Sequence, residues 1–267
     1  MELPERLATM LSGAEGLTRQ KAARLVIDLA NTASSEGFIE VNHSHVSGVS
    51  VITGGHGLRR FLADLAGEGS VAIPTTLNSA GCDKRKMEEM DIDYPDFLQQ
   101  QFEIITAYEQ LGIDSTLSCT PYDRGIEGES GIASWAESNA VAFSNSWTDL
   151  VTNRESGLSA LATALTGYAP KWGLHLEENR VPNIVVDVEC DLSSLADWSI
   201  LGDWIGKQVR PGWDVPYGPM PLIRGLPSYI SFASKKALTA AAANYGCAML
   251  WAEGHTKAPT LTGKEES

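Results

Sequence analysis

The sequence predicts an α/β protein: a layered α/β/α domain with helices on both faces of a mainly parallel sheet. Three observations predict it. Helical and extended signals alternate along the chain, as strand–crossover–strand units require. Hydrophobic residues make up 43% of 267 residues in short, scattered runs, enough for a sizeable core. Polar residues cluster just past the candidate strands, where open parallel sheets bind ligands.

The elements follow in order. Residues 18–34 place Ala22, Leu25, Leu29 and Ala33 at helical spacing, and residues 38–41 read as a short strand. Leu58, Phe61, Leu62 and Leu65 share one face of a helix over 57–66, and residues 70–73 extend before Pro74. A long helix is predicted over 95–111, with Pro95 in its first turn, a Leu98–Phe102–Ile105 stripe and Gly112 at its close. Residues 115–119 read as a strand. Leu158, Leu161, Ala162 and Leu165 predict a helix over 157–165, stopped by Gly167 and Pro170. Residues 184–188 read as an apolar strand, 233–244 as an alanine-rich helix and 247–251 as a last strand. The five prolines within 206–229 predict a long irregular connection, and 262–267 a polar tail.

The formal net charge of −14 argues against a nucleic-acid partner and an anionic membrane surface, which need basic faces. The strongest basic cluster, Lys84-Arg85-Lys86, reads as a solvated turn. No apolar run approaches the roughly 20 residues of a membrane span. The N-terminus MELPERLATM lacks a basic stretch ahead of an apolar one, so a cytoplasmic location is expected. Four cysteines, Cys82, Cys119, Cys190 and Cys247, stand far apart without a CxxC, which argues against a zinc ribbon, a thioredoxin motif or a disulfide framework. GxSxG and GxxxxGK[ST] are absent, and the glycines of GVSVITGGHG lack the GxGxxG order. The HxE of GLHLEENR is not followed by PCxxC, so a zinc-deaminase reading fails.

Three strand ends deliver candidate site residues: NHSHVSG after 38–41, PTTLNSAG after 70–73 and CTPYDRG after 115–118. The stretch 134–157 adds Glu137, Ser138, Asn139, Asn153 and Arg154, amides and charges interleaved with small apolar residues. Each also has a plain reading. His43 and His45 could cap a turn, Asn78 could occupy one, Cys119 could be a buried thiol, and Glu137-Ser138-Asn139 could open a helix. Asn153 and Arg154 could simply lead into the helix that follows. A mononuclear metal site would need His43, His45 and His175 to converge.

HSHVSGVS (43–50), PTTLN (74–78), CTPY (119–122), WAESNAV (135–141), TNR (152–154), ALTG (164–167) and GLHLEENR (173–180) occur in the order typical of the aconitase X family. IRGLP (223–227) and APTL (258–261) are also similar, so the resemblance covers nearly the whole chain. It implies an aconitase-like hydro-lyase acting on a small hydroxy acid with an iron–sulfur cluster. The substrates it implies are mevalonate 5-phosphate first and cis-3-hydroxy-L-proline as the alternative. Residues 1–261 then form the catalytic large-subunit region. Cys119 matches a cluster ligand. Arg154 would hold a carboxylate or phosphate. Ser47, Asn78, Ser138, Asn139 and Asn153 would orient substrate, and His45, Glu137, His175 and Glu177 are candidates for proton transfer or its support.

Family large subunits are longer, so the remaining cluster cysteines are expected in a further region on a partner chain. The serine base is expected on a small swivelling subunit. A non-catalytic remnant acting as an assembly protein is the competing reading. A large subunit lacking that further region would expose an apolar face, expected at 247–251 and around Trp213 and Tyr217, unless those aromatics cover their own core.

Overall fold

The computed structural model describes residues 2–83, 85–86, 89–90, 96–124, 130–210 and 218–256. Lys84, Pro95, Trp213, Tyr217, the 258–261 block and the polar tail lie outside the described residues. The chain forms two compact units. The first comprises Met1–Arg124, Ile132–Glu137 and Glu155–Trp172; the second comprises Gly125–Gly131, Ser138–Arg154 and Gly173–Ser267.

In the first unit, α1 (Glu5–Leu11) and α2 (Leu17–Thr32) are followed by β1 (Phe38–Glu40) and β2 (His43–Val46). Then come α3 (Val51–Ala66), β3 (Thr75–Leu77), α4 (Phe97–Gln110) and β4 (Ser130–Trp135). All four residues of β2 are buried, and the strand lies between β3 and β4. Both pairings are parallel: His45 is in register with Thr76 on one side and with Trp135 on the other. The helices bury one stripe each onto this core: Ala22, Val26 and Ala30 of α2, and Phe97, Ile104, Ile105 and Tyr108 of α4. Each such large apolar side chain contributes about 1.5–3 kcal/mol on burial.

The second unit holds α5 (Ser138–Trp147) and β5 (Asp149–Arg154). The first resumes with α6 (Gly157–Thr166) and β6 (Tyr168–Pro170), which pairs antiparallel with β1. In α6 the Ser156 hydroxyl and Ser159 complete a reciprocal capping box. The second unit continues with β7 (Ile184–Asp187), α7 (Leu195–Gln208), β8 (Pro221–Arg224), α8 (Phe232–Ala243) and β9 (Trp251–Ala252). Its sheet is parallel throughout, with β8 central. Gly202 lets α7 press onto α8: a Cβ there would meet the Leu238 carbonyl oxygen at 2.2 Å.

The α/β class with mainly parallel strands matches the expectation, and several boundaries move. Residues 70–73 are not a strand; β3 begins at Thr75. Residues 115–119 form no strand either, and that region contributes only a parallel bridge from Asp114 to Thr76. The helix expected at 57 starts at Val51, where the Ser50 hydroxyl accepts from the Ile52 amide, and bends at Gly55. Helix α7 was not anticipated, although Ser194 and Asp197 build a capping box at its start. Strand β8 lies inside the stretch expected to be irregular. The expected apolar face at 247–251 is instead core. Cys247, Ala248, Met249, Leu250 and Trp251 are all buried, the first and fourth packed with Val186, Ile205 and Ile223.

Candidate functional site

The site residues of the first unit gather at the carboxyl ends of three parallel strands. Ser47 follows β2, Asn78 follows β3, and Glu137 comes two residues after β4. This corrects the strand-end reading: His43, Ser44 and His45 lie within a strand rather than beyond one. The rim is therefore supplied by Ser47, Asn78 and Glu137. Asn78 Nδ2 donates to Glu137 Oε2 at 2.8 Å. The amide cannot turn over freely, because Asn78 Oδ1 accepts from the Ser79 N–H at 2.7 Å. The backbone thus aims the donor at the carboxylate.

Cys119 comes to the same rim. The Ser118 N–H donates to the Leu77 carbonyl, tying this segment to the end of β3. Tyr122, in the turn that follows, is buried, and burial pushes its phenol pKa up, with the charges of Asp123, Cys119 and Glu137 adding. Its hydroxyl stays protonated, a donor near Cys119 and Glu137. The sequence reading placed Tyr122 on the rim without giving it a role. Its burial is the missing signal, which no local pattern carries.

His45 sits deeper. It is fully buried, and its Nδ1 pairs with Thr76 Oγ1 at 2.8 Å. Trp135 Nε1 donates to His43 Nδ1 at 2.9 Å, and both imidazoles meet the Trp135 ring edge-on. Burial lowers the pKa of His43 to about 4 and, with repulsion from His43, that of His45 to about 3. Both are neutral near pH 7. The Nε2 of His45 has no hydrogen-bond partner among the described residues.

Ser47 is held by its surroundings. Gln101 Oε1 accepts from the Val51 N–H and its Nε2 donates to the Val49 carbonyl, fixing the loop after β2. Gly157, at the start of α6, lies so close that a Cβ would come 2.3 Å from the Ser47 carbonyl oxygen. Neither Gln101 nor Gly157 stands out in sequence, because each acts through a partner far away along the chain.

The second unit carries the other six candidates. Ser138 and Asn139 open α5, Asn153 and Arg154 end β5, and His175 and Glu177 lie in the two short turns before β7. Asn153 is buried between its neighbours: its Oδ1 accepts from the Leu174 N–H at 2.7 Å, and its Nδ2 faces His175 Nδ1 at 3.3 Å. Asn153 and His175 therefore form one buried group. Arg154 is exposed at the strand end. Glu177 is elsewhere: its side chain is 91% exposed, with only a 4.0 Å approach to Arg180.

An iron–sulfur cluster needs three or four thiolates. Cys119 and Cys190 are exposed, Cys82 is half-buried, and burial pushes the Cys247 thiol up to about 11. Among the described residues no three His, Cys, Asp or Glu side chains converge as metal ligands. That finding also leaves His43, His45 and His175 without a shared metal, and the described residues alone do not make a cluster site. No helix among them is long and apolar enough to cross a membrane.

Comparison with known proteins gives the family. The model of the aconitase X first domain matches residues 1–178, and that of the aconitase X second domain matches residues 182–266. A phosphomevalonate dehydratase large subunit from Thermococcus kodakarensis is 36% identical over 81% of this chain and 54% of its own length. That of Methanothermobacter thermautotrophicus is 36% identical over 91% of this chain and 59% of its own. A cis-3-hydroxy-L-proline dehydratase from Pseudomonas aeruginosa is 34% identical over 70% of this chain and 32% of its own. The chain thus spans about half the length of the phosphomevalonate dehydratase relatives it matches. A crystal structure of Thermococcus kodakaraensis aconitase X in its holo-form superposes with a TM-score of 0.84 at 32% identity, covering 99% of this chain and 65% of that one. With these two models together matching residues 1–178 and 182–266, the chain belongs to the aconitase X family.

Proposed function

We propose that the chain works as large-subunit machinery of a hydro-lyase that removes water from a small hydroxy acid, mevalonate 5-phosphate before cis-3-hydroxy-L-proline. The observation that carries it is the Asn78–Glu137 pair at the ends of two parallel strands, on a chain whose relatives include phosphomevalonate dehydratase large subunits. Dehydration needs a group to take or return a proton and donors to position the substrate. Glu137, held by Asn78, moves the proton, and the Tyr122 hydroxyl donates beside it. Ser47 offers a further hydrogen bond on this rim; in the second unit, Ser138 and Asn139 are proposed as donors and Arg154 as a planar fork for an anionic group.

His45 acts as a positioning residue, its neutral ring buttressing β2 beside Thr76. His175 orients Asn153. Glu177 has no part in proton transfer, a reading its exposure supports. Cys119 would give one thiolate to the family's iron–sulfur cluster, which would supply Lewis-acid chemistry, and further ligands would have to come from outside the described residues. A small subunit is the expected partner, as the name "large subunit" of the relatives implies for them.

The test is dehydration of both hydroxy acids by the chain co-purified with a small subunit and a chain carrying the remaining cluster cysteines. Mevalonate 5-phosphate should be turned over, and Glu137→Gln should lower kcat by about 100-fold or more. Turnover of cis-3-hydroxy-L-proline alone selects the second substrate. Turnover of neither by an assembled, cluster-loaded complex leaves the assembly-protein reading.

A further inference from the structure

A cavity of about 730 Å³ opens in the second unit. Its walls come from the C-terminal end of α5, the start of β5, α8 and the turn after β9. Ser138 and Asn139 sit at the other end of α5, and Asn153 and Arg154 at the other end of β5, while Glu177 approaches the lining residue Arg180 at 4.0 Å. Ser138 at the start of α5 and Trp147 at its end are about 14 Å apart along the helix. The size suits a small organic ligand.

The cavity has donors in search of an acceptor. The Nε of Arg180 and the Nε1 of Trp147 are buried and have no hydrogen-bond partner among the described residues. Leaving such N–H groups unpaired is costly, so an acceptor at either is favoured. Arg180 has only a distant carboxylate in Glu177, and burial pulls its pKa below the usual arginine value, an effect Glu177 partly offsets. Arg180 is nevertheless fixed at the wall, because Trp251 Nε1 donates to its carbonyl at 2.7 Å.

Lys235 brings a second cation, its Nζ 5.1 Å from the centre of the Trp147 ring. Asp149 is the single carboxylate among the lining residues, so the wall carries an excess of positive charge on a chain whose net charge is −14. The rest of the wall is mixed: Asn145, Ser146, Thr148, His255 and Thr256 are polar, and one side is aromatic and aliphatic. Phe143 and Phe232 meet edge-on at 5.3 Å, and Met249 and Trp251 lie beside them.

We propose that this cavity binds a small organic anion with an apolar body, its phosphate or carboxylate head held by Arg180, Lys235 and Trp147 Nε1. The two kinds of wall account for the two halves of such a ligand: guanidinium, ammonium and indole N–H for the head, aromatic rings and thioether for the body. The proposal does not depend on the hydro-lyase reading.

The experiment is calorimetric titration of the whole chain with hexyl phosphate, hexanoate, inorganic phosphate and hexyltrimethylammonium. Hexyl phosphate or hexanoate should bind saturably, and whichever binds more tightly identifies the head. Inorganic phosphate should bind more weakly, and the cation should not bind. Arg180→Gln and Lys235→Met should each weaken the anion by about tenfold, with circular dichroism checking that both fold. Lys235 is only half-buried, so its variant keeps the test interpretable if Arg180→Gln unfolds. Absence of saturable anion binding overturns the proposal, as does an affinity unchanged in folded Lys235→Met.

Discussion

At the scale of single residues, the two histidines of β2 govern how the protein responds to acid. Both bind protons in the unfolded chain near pH 6.5 but resist them in the fold until about pH 4 for His43 and about pH 3 for His45. A depressed histidine pKa stabilises fully above the unfolded value, and that contribution is lost as pH falls toward the folded one. Between pH 7 and pH 5 each should cost about 2 kcal/mol of stability. Urea denaturation at the two pH values measures this, and a flat profile would mean that the imidazoles are accessible. Asn153 is the second test. Asn153→Ala removes an acceptor from the buried Leu174 N–H and a partner from His175, and should cost about 1–3 kcal/mol. Asn153→Asp, which keeps the acceptor, should lose less in the same assay.

At the scale of elements, α6 shows how a helix end shapes the rim. Its capping box holds Gly157 against the carbonyl of Ser47. Gly157→Ala adds a methyl where there is no room, which costs about 1–3 kcal/mol and outweighs the helix-propensity gain of up to about 1 kcal/mol. Thermal melting should show a lower Tm, and a rise in Tm would sink the close-approach argument. Ser156→Ala should cost about 1 kcal/mol without crowding Ser47. The two variants should therefore separate in activity: the crowding variant perturbs substrate affinity, and the capping variant only stability.

At the scale of the whole molecule, the question is what the chain can hold alone. Cys119 is the sole cysteine carried over as a cluster ligand. Among the described residues no three metal-ligating side chains converge. Anaerobic reconstitution of the isolated chain should give iron and sulfide well below one cluster per chain. A stoichiometric cluster would show that Cys82, Cys190 or Cys247 also ligates. The buried Cys247, its thiol pushed up to about 11, is the least suited of the three.

The sequence by itself determined the class of fold and the helices α2, α4, α6 and α8, because those are written in local periodicity and composition. The Leu161–Leu165 stripe in α6 has the helical period; in α2 the helix was legible, but the buried face is Ala22, Val26 and Ala30 and not the Ala22–Leu25–Leu29–Ala33 stripe read from the sequence. Family membership was legible for a related reason: ordered motifs such as PTTLN and WAESNAV survive as strings. The strands at 38–41 and 184–188 were legible as β1 and β7, but β2 and β3 were not. Three residues of β3 or four of β2 carry no period, and their polar side chains, Thr75, Thr76, Ser44 and His45, look like loop residues. Only the tertiary structure decides that they are strands, because β2 pairs on both edges and its polar groups find partners across the sheet. The same reason placed Asn78 against Glu137, 59 positions away along the chain. It also buried residues 247–251 rather than exposing them, and left Glu177 in solvent beside a motif that had suggested chemistry. Pairing and burial are properties of contacts between distant residues, and no local pattern in a single chain encodes them.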